Sequence, residues 1–222
     1  DDTVIPMELI KAAVDRDVAL SASAPIIWGL DVARYGGDNS ALCVRQGNTV
    51  LELKSFQSMD LMQLCGAIKN RYDDCTALER PQEILIDVIG LGSGVVDRLA
   101  EQNLPVRGIN VAEAPATKKN YLNLRAELWF AIKDWLAQRD CRLPNDDELV
   151  SELAAPIYKY TSSGKIKLES KEEMRKRGIK SPDKADALSL TMASSAASFS
   201  GSMSFMGYNF RQPLKSKIIR IG

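Results

Sequence analysis

The order of apolar runs and turns predicts an α/β fold: a mixed five-stranded sheet flanked by helices, with an added hairpin and a C-terminal helix. Between residues 26 and 56, three strand-like runs follow one another across short turns, which makes an antiparallel meander. From residue 60 onward, helical and strand-like segments alternate, which adds parallel strands with helices on both faces. A chain of 222 residues, 45% hydrophobic and 26% charged, is large enough to bury the core of one such domain.

The elements read in order. Pro6–Leu20 is a short helix, with Leu9, Ile10, Ala13 and Val14 at helical spacing, and Ser21 to Pro25 is a small-residue linker. Ile26–Ala33 is a buried strand interrupted by one charge, Asp31. The turn Gly36-Gly37-Asp38-Asn39 leads into the strand Ala41–Gln46, and Gly47-Asn48 turns that into Val50–Phe56. A helix over Asp60–Tyr72 puts Leu61, Leu64, Cys65 and Ile68 on one face. Glu83–Ile89 is the next buried strand and carries Asp87; the glycines of Gly90 to Gly94 then open a helix through Leu99. Val106–Val111 is the fifth strand. A long helix over Lys118–Gln138 carries Leu122, Trp129, Ile132 and Leu136 inward, and Asp146–Leu153 is a shorter helix. Ile157–Thr161 and Lys165–Leu168 form a hairpin around Ser162-Ser163-Gly164. The last helix starts at Ser181, with Ser181 as N-cap and Pro182 in the first turn. The succession β-β-β-α-β-α-β-α, with these additions and a terminal helix, is that of a ribonuclease H-like fold.

Composition removes several kinds of chemistry. The chain has no histidine, so Ser/His and Cys/His triads and His-based zinc sites are excluded, and catalysis has to rest on carboxylates, lysines or metals. Cys43, Cys65, Cys75 and Cys141 lack C-x-x-C spacing, so buried or free thiols are expected in place of a zinc site or a disulfide frame. No apolar run reaches membrane-spanning length, and residues 1–6 do not resemble a signal peptide; without an initiator Met the sequence reads as a piece of something longer. Net charge is zero but unevenly spread. Nine Lys/Arg against four acids lie between Tyr158 and Lys184, and only basic charges follow Asp186.

The acidic residues are the candidates for chemistry. Asp31 and Asp87 each sit in or at the end of an apolar strand, where an unpaired carboxylate costs several kcal/mol unless a metal, a partner or a strand-end position compensates. In this fold those strands are parallel neighbours about 4.8 Å apart, which brings both carboxylates within reach of one cation. Either residue alone is equally well read as a loop-starting or helix-capping aspartate. Asp183 and Asp186 share one face of the last helix at i and i+3. The helix dipole accounts for Asp183; Asp186 lies deeper, among Ala185, Ala187 and Leu188, and is the stronger ligand candidate. Asp38 is a further possible ligand, and an Asx-type turn explains it as well. Oxygen ligands without His or Cys suit Mg²⁺ or Mn²⁺, and two such ions about 3.5–4 Å apart activate water and stabilise the leaving oxygen of a phosphodiester. On that reading Asp31, Asp87 and Asp186 are catalytic, with Asp183 and Asp38 as additional metal ligands. Lys165, Lys167, Arg175, Lys176, Arg177, Lys180 and Lys184 would then hold the DNA backbone; alternatively they form a solvated mixed-charge hairpin and loop.

Three segments resemble the acidic motifs of the C-terminal nuclease domain of tailed-bacteriophage terminase large subunits. They are Gly29-Leu30-Asp31-Val32-Ala33 with Gly36-Gly37-Asp38, Ile86-Asp87-Val88-Ile89-Gly90-Leu91-Gly92-Ser93-Gly94 with Val96-Asp97 and Leu99, and Asp183-Lys184-Ala185-Asp186-Ala187-Leu188. Val4 to Ile10 with Ala13 resembles the segment that joins the family's motor domain to its nuclease. The sequence thus divides into residues 1–25 as N-terminal helix and linker, 26–198 as a ribonuclease H-like nuclease domain by that resemblance, and 199–222 as a flexible basic tail of low complexity. The resemblance also implies a metal-dependent endonuclease that cuts concatemeric viral double-stranded DNA during headful packaging in the host cytoplasm. The implied partners are the portal protein, the small terminase subunit and a motor ATPase domain of the same polypeptide. Many relatives carry adjacent acids in the third motif, whereas here they stand three apart. No G-x-x-x-x-G-K-[ST] occurs, so the ATPase is not in this sequence. Two other readings compete: an actin- or sugar-kinase-like ATPase lobe, whose first hairpin also carries Asp and Gly, and a Holliday-junction-resolvase-like nuclease.

Overall fold

The computed structural model describes residues 2–33, 39–115 and 120–194. Strand β1 (Asp2–Thr3) and helix α1 (Met7–Ala13) come first, followed by the meander β2 (Ile26–Asp31), β3 (Ser40–Gln46) and β4 (Thr49–Phe56). Then come α2 (Leu61–Asp73), β5 (Glu83–Asp87), α3 (Gly92–Glu101), β6 (Val106–Ile109), α4 (Leu124–Ala137) and α5 (Asp147–Ala154). The hairpin β7 (Ile157–Tyr160) and β8 (Ile166–Leu168), α6 (Lys171–Lys176) and α7 (Asp183–Thr191) complete the series. The main sheet has five strands in the order β4-β3-β2-β5-β6, antiparallel through β4-β3-β2 and parallel through β2-β5-β6. This is the mixed sheet expected from the sequence.

Both faces of the sheet are covered, which is why every residue of β2 is buried. On one face Trp28, Leu30, Leu42, Val44, Ile84 and Ile86 pack against α2 and α3 through Leu64, Ile68, Val95 and Leu99. On the other, Ala41 and Cys43 meet Trp129, Ile132 and Leu136 of α4 and Ala185, Ala187 and Leu188 of α7. Helix α7 has eight of its nine residues buried and no apolar stripe, as befits a helix enclosed on all sides. The four cysteines are buried and unpaired.

Several boundaries differ from the sequence reading. Helix α1 stops at Ala13, because Val14 turns extended and bridges Leu143, and Asp15 takes a positive φ of 51°. Helix α4 starts at Leu124, capped by the Asn123 side chain, and residues 116–119 of the expected helix lie outside the described residues. Leu122 is therefore ahead of the helix, 40% exposed, with its N–H donated to Ile166. Helix α7 starts at Asp183 instead of Ser181, with Pro182 at the N-cap and no capping side chain of its own. Two elements were not anticipated. One is β1, which extends the β7-β8 hairpin into a three-stranded sheet. The other is α6, whose Ser170 and Glu173 form a reciprocal capping box. The Gly36-Gly37-Asp38 turn and the tail from residue 195 lie outside the described residues.

Candidate active site

The register of the parallel pair brings the first two acids together. Leu30 is opposite Ile86, so Asp31 and Asp87 leave the sheet side by side at the carboxyl ends of β2 and β5. Alternation along β2 sends Ile27, Gly29 and Asp31 toward α7. A Cβ on Gly29 would stand 2.0 Å from the Ala187 carbonyl oxygen, so only glycine allows α7 to lie this close. That approach brings the first turn of α7 over the strand ends. Asp31, Asp87, Asp183 and Asp186 thus line one cleft of about 470 Å³.

A lysine fills the centre of the cluster. Lys171 Nζ, at the start of α6, lies 3.0 Å from Asp31 Oδ2, 3.0 Å from Asp186 Oδ2 and 3.9 Å from Asp183 Oδ1. Asp186 also accepts from Trp129 Nε1 at 2.9 Å and from the Arg125 guanidinium at 3.1 Å. Asp87 Oδ1 accepts from the Ile89 N–H at 3.0 Å. Asp183 Oδ2 accepts from the Asn39 N–H at 3.2 Å, while its buried Oδ1 makes no hydrogen bond among the described residues.

Electrostatics separate the four acids. Burial pushes Asp87 up to about 6, with the Asp31 charge adding to the rise. Burial likewise pushes Asp183 up to about 6, again with a contribution from Asp31. Asp31 is also raised, by burial first and by the facing Asp186 second, against the pull of Lys171. Burial opposes ionisation of Asp186 too, yet Arg125 and Lys171 together hold it below the ordinary carboxylate range. Burial works against the Lys171 charge, and Asp31 and Asp186 more than offset it, raising its pKa. The site is an acidic basin held together by one half-buried ammonium and one guanidinium.

The donor set has the chemistry of a hard-cation site: oxygen only, several carboxylates, and one buried oxygen on Asp183 without a hydrogen bond among the described residues. Among the described residues, no group of three acids stands ready-made around a cation position. Lys171 stands among the acids and provides the positive charge that they face.

The candidate DNA-contacting residues divide by position. Lys167 and Arg175 line the cleft. Lys176 and Lys180 are exposed beyond it on α6 and the following loop, and Lys165 is half-buried on the hairpin. Arg177 forms a 2.6 Å pair with Glu169, and Lys184 pairs with Asp146 at 2.7 Å and Glu148 at 2.8 Å; neither lines the cleft. Sequence reasoning did not single out Lys171, Arg125 or Trp129 as site residues. The Ser170-Lys171-Glu172-Glu173 capping box was a readable sign of a helix start there, though not of where its lysine points.

The sheet order, with acids at the ends of two adjacent parallel strands and on a helix packed across them, defines the ribonuclease H-like class of fold. Within that class, similar solved structures include nuclease domains of phage large terminases. One is the domain from bacterial virus Sf6, a lysine-to-alanine variant with manganese and beta-thujaplicinol: TM-score 0.74 and 20% identity, covering 87% of this chain and 99% of that one. A second, from thermophilic phage G20c with bound magnesium, gives TM-score 0.62 and 14% identity over 86% of this chain and 96% of that one. The domain from Thermus phage P74-26 gives TM-score 0.62 and 13% identity over 86% and 94%. No family model and no curated protein matches the sequence.

Proposed function

We propose that this chain is a metal-dependent DNA endonuclease of the large-terminase type, which cuts concatemeric viral double-stranded DNA as the genome is packaged. The observation that carries the proposal is the convergence of Asp31, Asp87, Asp183 and Asp186 on one cleft, in a fold shared with terminase nucleases. Asp31, Asp87 and Asp186 are the catalytic acids of this reading, Asp183 is a further ligand, and Asp38, which lies outside the described residues, a helper. Their oxygens would hold Mg²⁺ or Mn²⁺, in a pair; relatives of the fold have been solved with manganese, magnesium, cobalt and calcium. Such ions supply an activated water and charge stabilisation for the departing oxygen.

The chain's own residues prepare that site. Trp129 and Arg125 fix the Asp186 carboxylate and keep it ionised at neutral pH. The Ile89 N–H orients Asp87, and the Asn39 N–H orients Asp183. Lys171 holds the acids together against their mutual repulsion when no divalent ion is bound. Lys167 and Arg175 on the cleft wall, with Lys165, Lys176 and Lys180 beside it, would track the phosphate backbone. As a terminase nuclease, the domain would work in the host cytoplasm beside a motor ATPase domain, the portal and the small subunit. No helix among the described residues is long and apolar enough to cross a membrane.

Plasmid cleavage tests the proposal, with Mn²⁺, Mg²⁺ or EDTA and the variants Asp31→Asn, Asp87→Asn and Asp186→Asn. Cutting is expected with either metal, none in EDTA, and a loss in each variant. Full activity of Asp87→Asn, or cutting in EDTA, would sink the mechanism. Asp183→Asn beside Asp186→Asn ranks the two acids of α7.

A further inference from the structure

Helix α7 presents two of the four acids, yet it has no cap of its own. A helix start leaves backbone N–H groups without partners, and a Ser, Thr, Asp or Asn side chain just before the helix normally satisfies the one at the third helical position. Here Pro182 holds the N-cap position and makes no side-chain bond. The third helical N–H, that of Ala185, is instead donated to Glu152 Oε2 of α5 at 2.9 Å. The same helix pair is tied again one residue earlier. Lys184 reaches Asp146, the N-cap of α5, at 2.7 Å, and Glu148 in its first turn at 2.8 Å.

We infer that Glu152 is a positioning residue that caps α7 from a neighbouring helix and thereby sets Asp183 and Asp186. On the same turn, Asp183 Oδ1 makes no hydrogen bond among the described residues and lies 3.9 Å from the Lys171 ammonium. Helix α5 is thus a brace: its N-cap, first turn and second turn all grip the first turn of α7, and Lys184 serves in that grip. What the positioned acids do rests on the nuclease reading above; the cap itself does not.

Hydrogen exchange and cation binding on the full chain test this with Glu152→Ala, Glu152→Gln and Ile68→Ala. The last is a destabilising control buried on the opposite face of the sheet. Removing one backbone cap should speed exchange of the Ala185 amide by about five- to tenfold in Glu152→Ala. Glu152→Gln keeps an oxygen acceptor and should restore protection. Titration calorimetry with Mn²⁺ should give weaker binding for Glu152→Ala, and near wild-type binding for Glu152→Gln and Ile68→Ala. Unchanged exchange at Ala185 in Glu152→Ala, or no rescue by Gln, overturns the inference. Ile68→Ala weakening Mn²⁺ as much as Glu152→Ala would reduce Glu152 to general stability and overturn it too. If the wild type neither binds Mn²⁺ nor cuts DNA, the nuclease reading falls, and the exchange data still decide the cap.

Discussion

Lys171 carries the sharpest residue-level consequence. Its ammonium lies between Asp31 and Asp186, so a substitution removes the charge that offsets the repulsion between two buried carboxylates. Lys171→Met keeps most of the side-chain volume and none of the charge. The metal-free variant should therefore melt below the wild type, and Mn²⁺ should raise its Tm by more than it raises that of the wild type, because binding then relieves an uncompensated repulsion. Equal Mn²⁺ shifts in the two proteins would refute the account. The acids themselves were legible in the sequence, since a lone aspartate in an apolar strand demands an explanation. Their partners were not: Lys171 lies 140 residues from Asp31, and Arg125 lies 61 residues before Asp186. Only folding brings them together.

At the scale of elements, the close packing of β2 against α7 decides the geometry of the site. Gly29→Ala would place a methyl group 2.0 Å from the Ala187 carbonyl, a clash with backbone that no rotamer relieves. Helix α7 would have to retreat, taking Asp186 with it. The expected result is a loss of about 1–3 kcal/mol in urea unfolding, in line with overpacked cores, together with loss of cleavage. A variant with native stability and native cutting would show that the close approach is dispensable. The five strands were readable because apolar runs bounded by Gly, Asn and Pro are local signals. Helix ends were less so. The real stop of α1 is fixed by the Val14–Leu143 bridge, and the start of α7 by Glu152 on another helix, and neither partner is near in sequence.

The whole molecule separates an acidic basin from a basic flank. Lys167 and Arg175 stand at the cleft beside Glu172, and Lys165, Lys176 and Lys180 lie further along the hairpin, α6 and the loop beyond it. Replacing Lys165, Lys176 and Lys180 with alanine should weaken duplex binding about equally for all sequences. It should also flatten the salt dependence of log Kd by about 0.9 for each phosphate that is no longer neutralised. An unchanged salt slope, measured by fluorescence anisotropy, would place the DNA elsewhere. Arg177→Ala and Lys184→Ala, whose charges are paired internally, should instead lower Tm and leave that slope nearly as it was.

The enclosure of α7 also has a bearing on timing. It is the last described helix, and eight of its nine residues are buried against elements made earlier. During synthesis, Asp31 and Asp87 leave the ribosome roughly a hundred residues or more before Asp183 and Asp186, at about 5–20 residues per second. A stalled or truncated product carries half of the carboxylates and a bare groove along Gly29. The four carboxylates can converge only once α7 has been made and packed against β2.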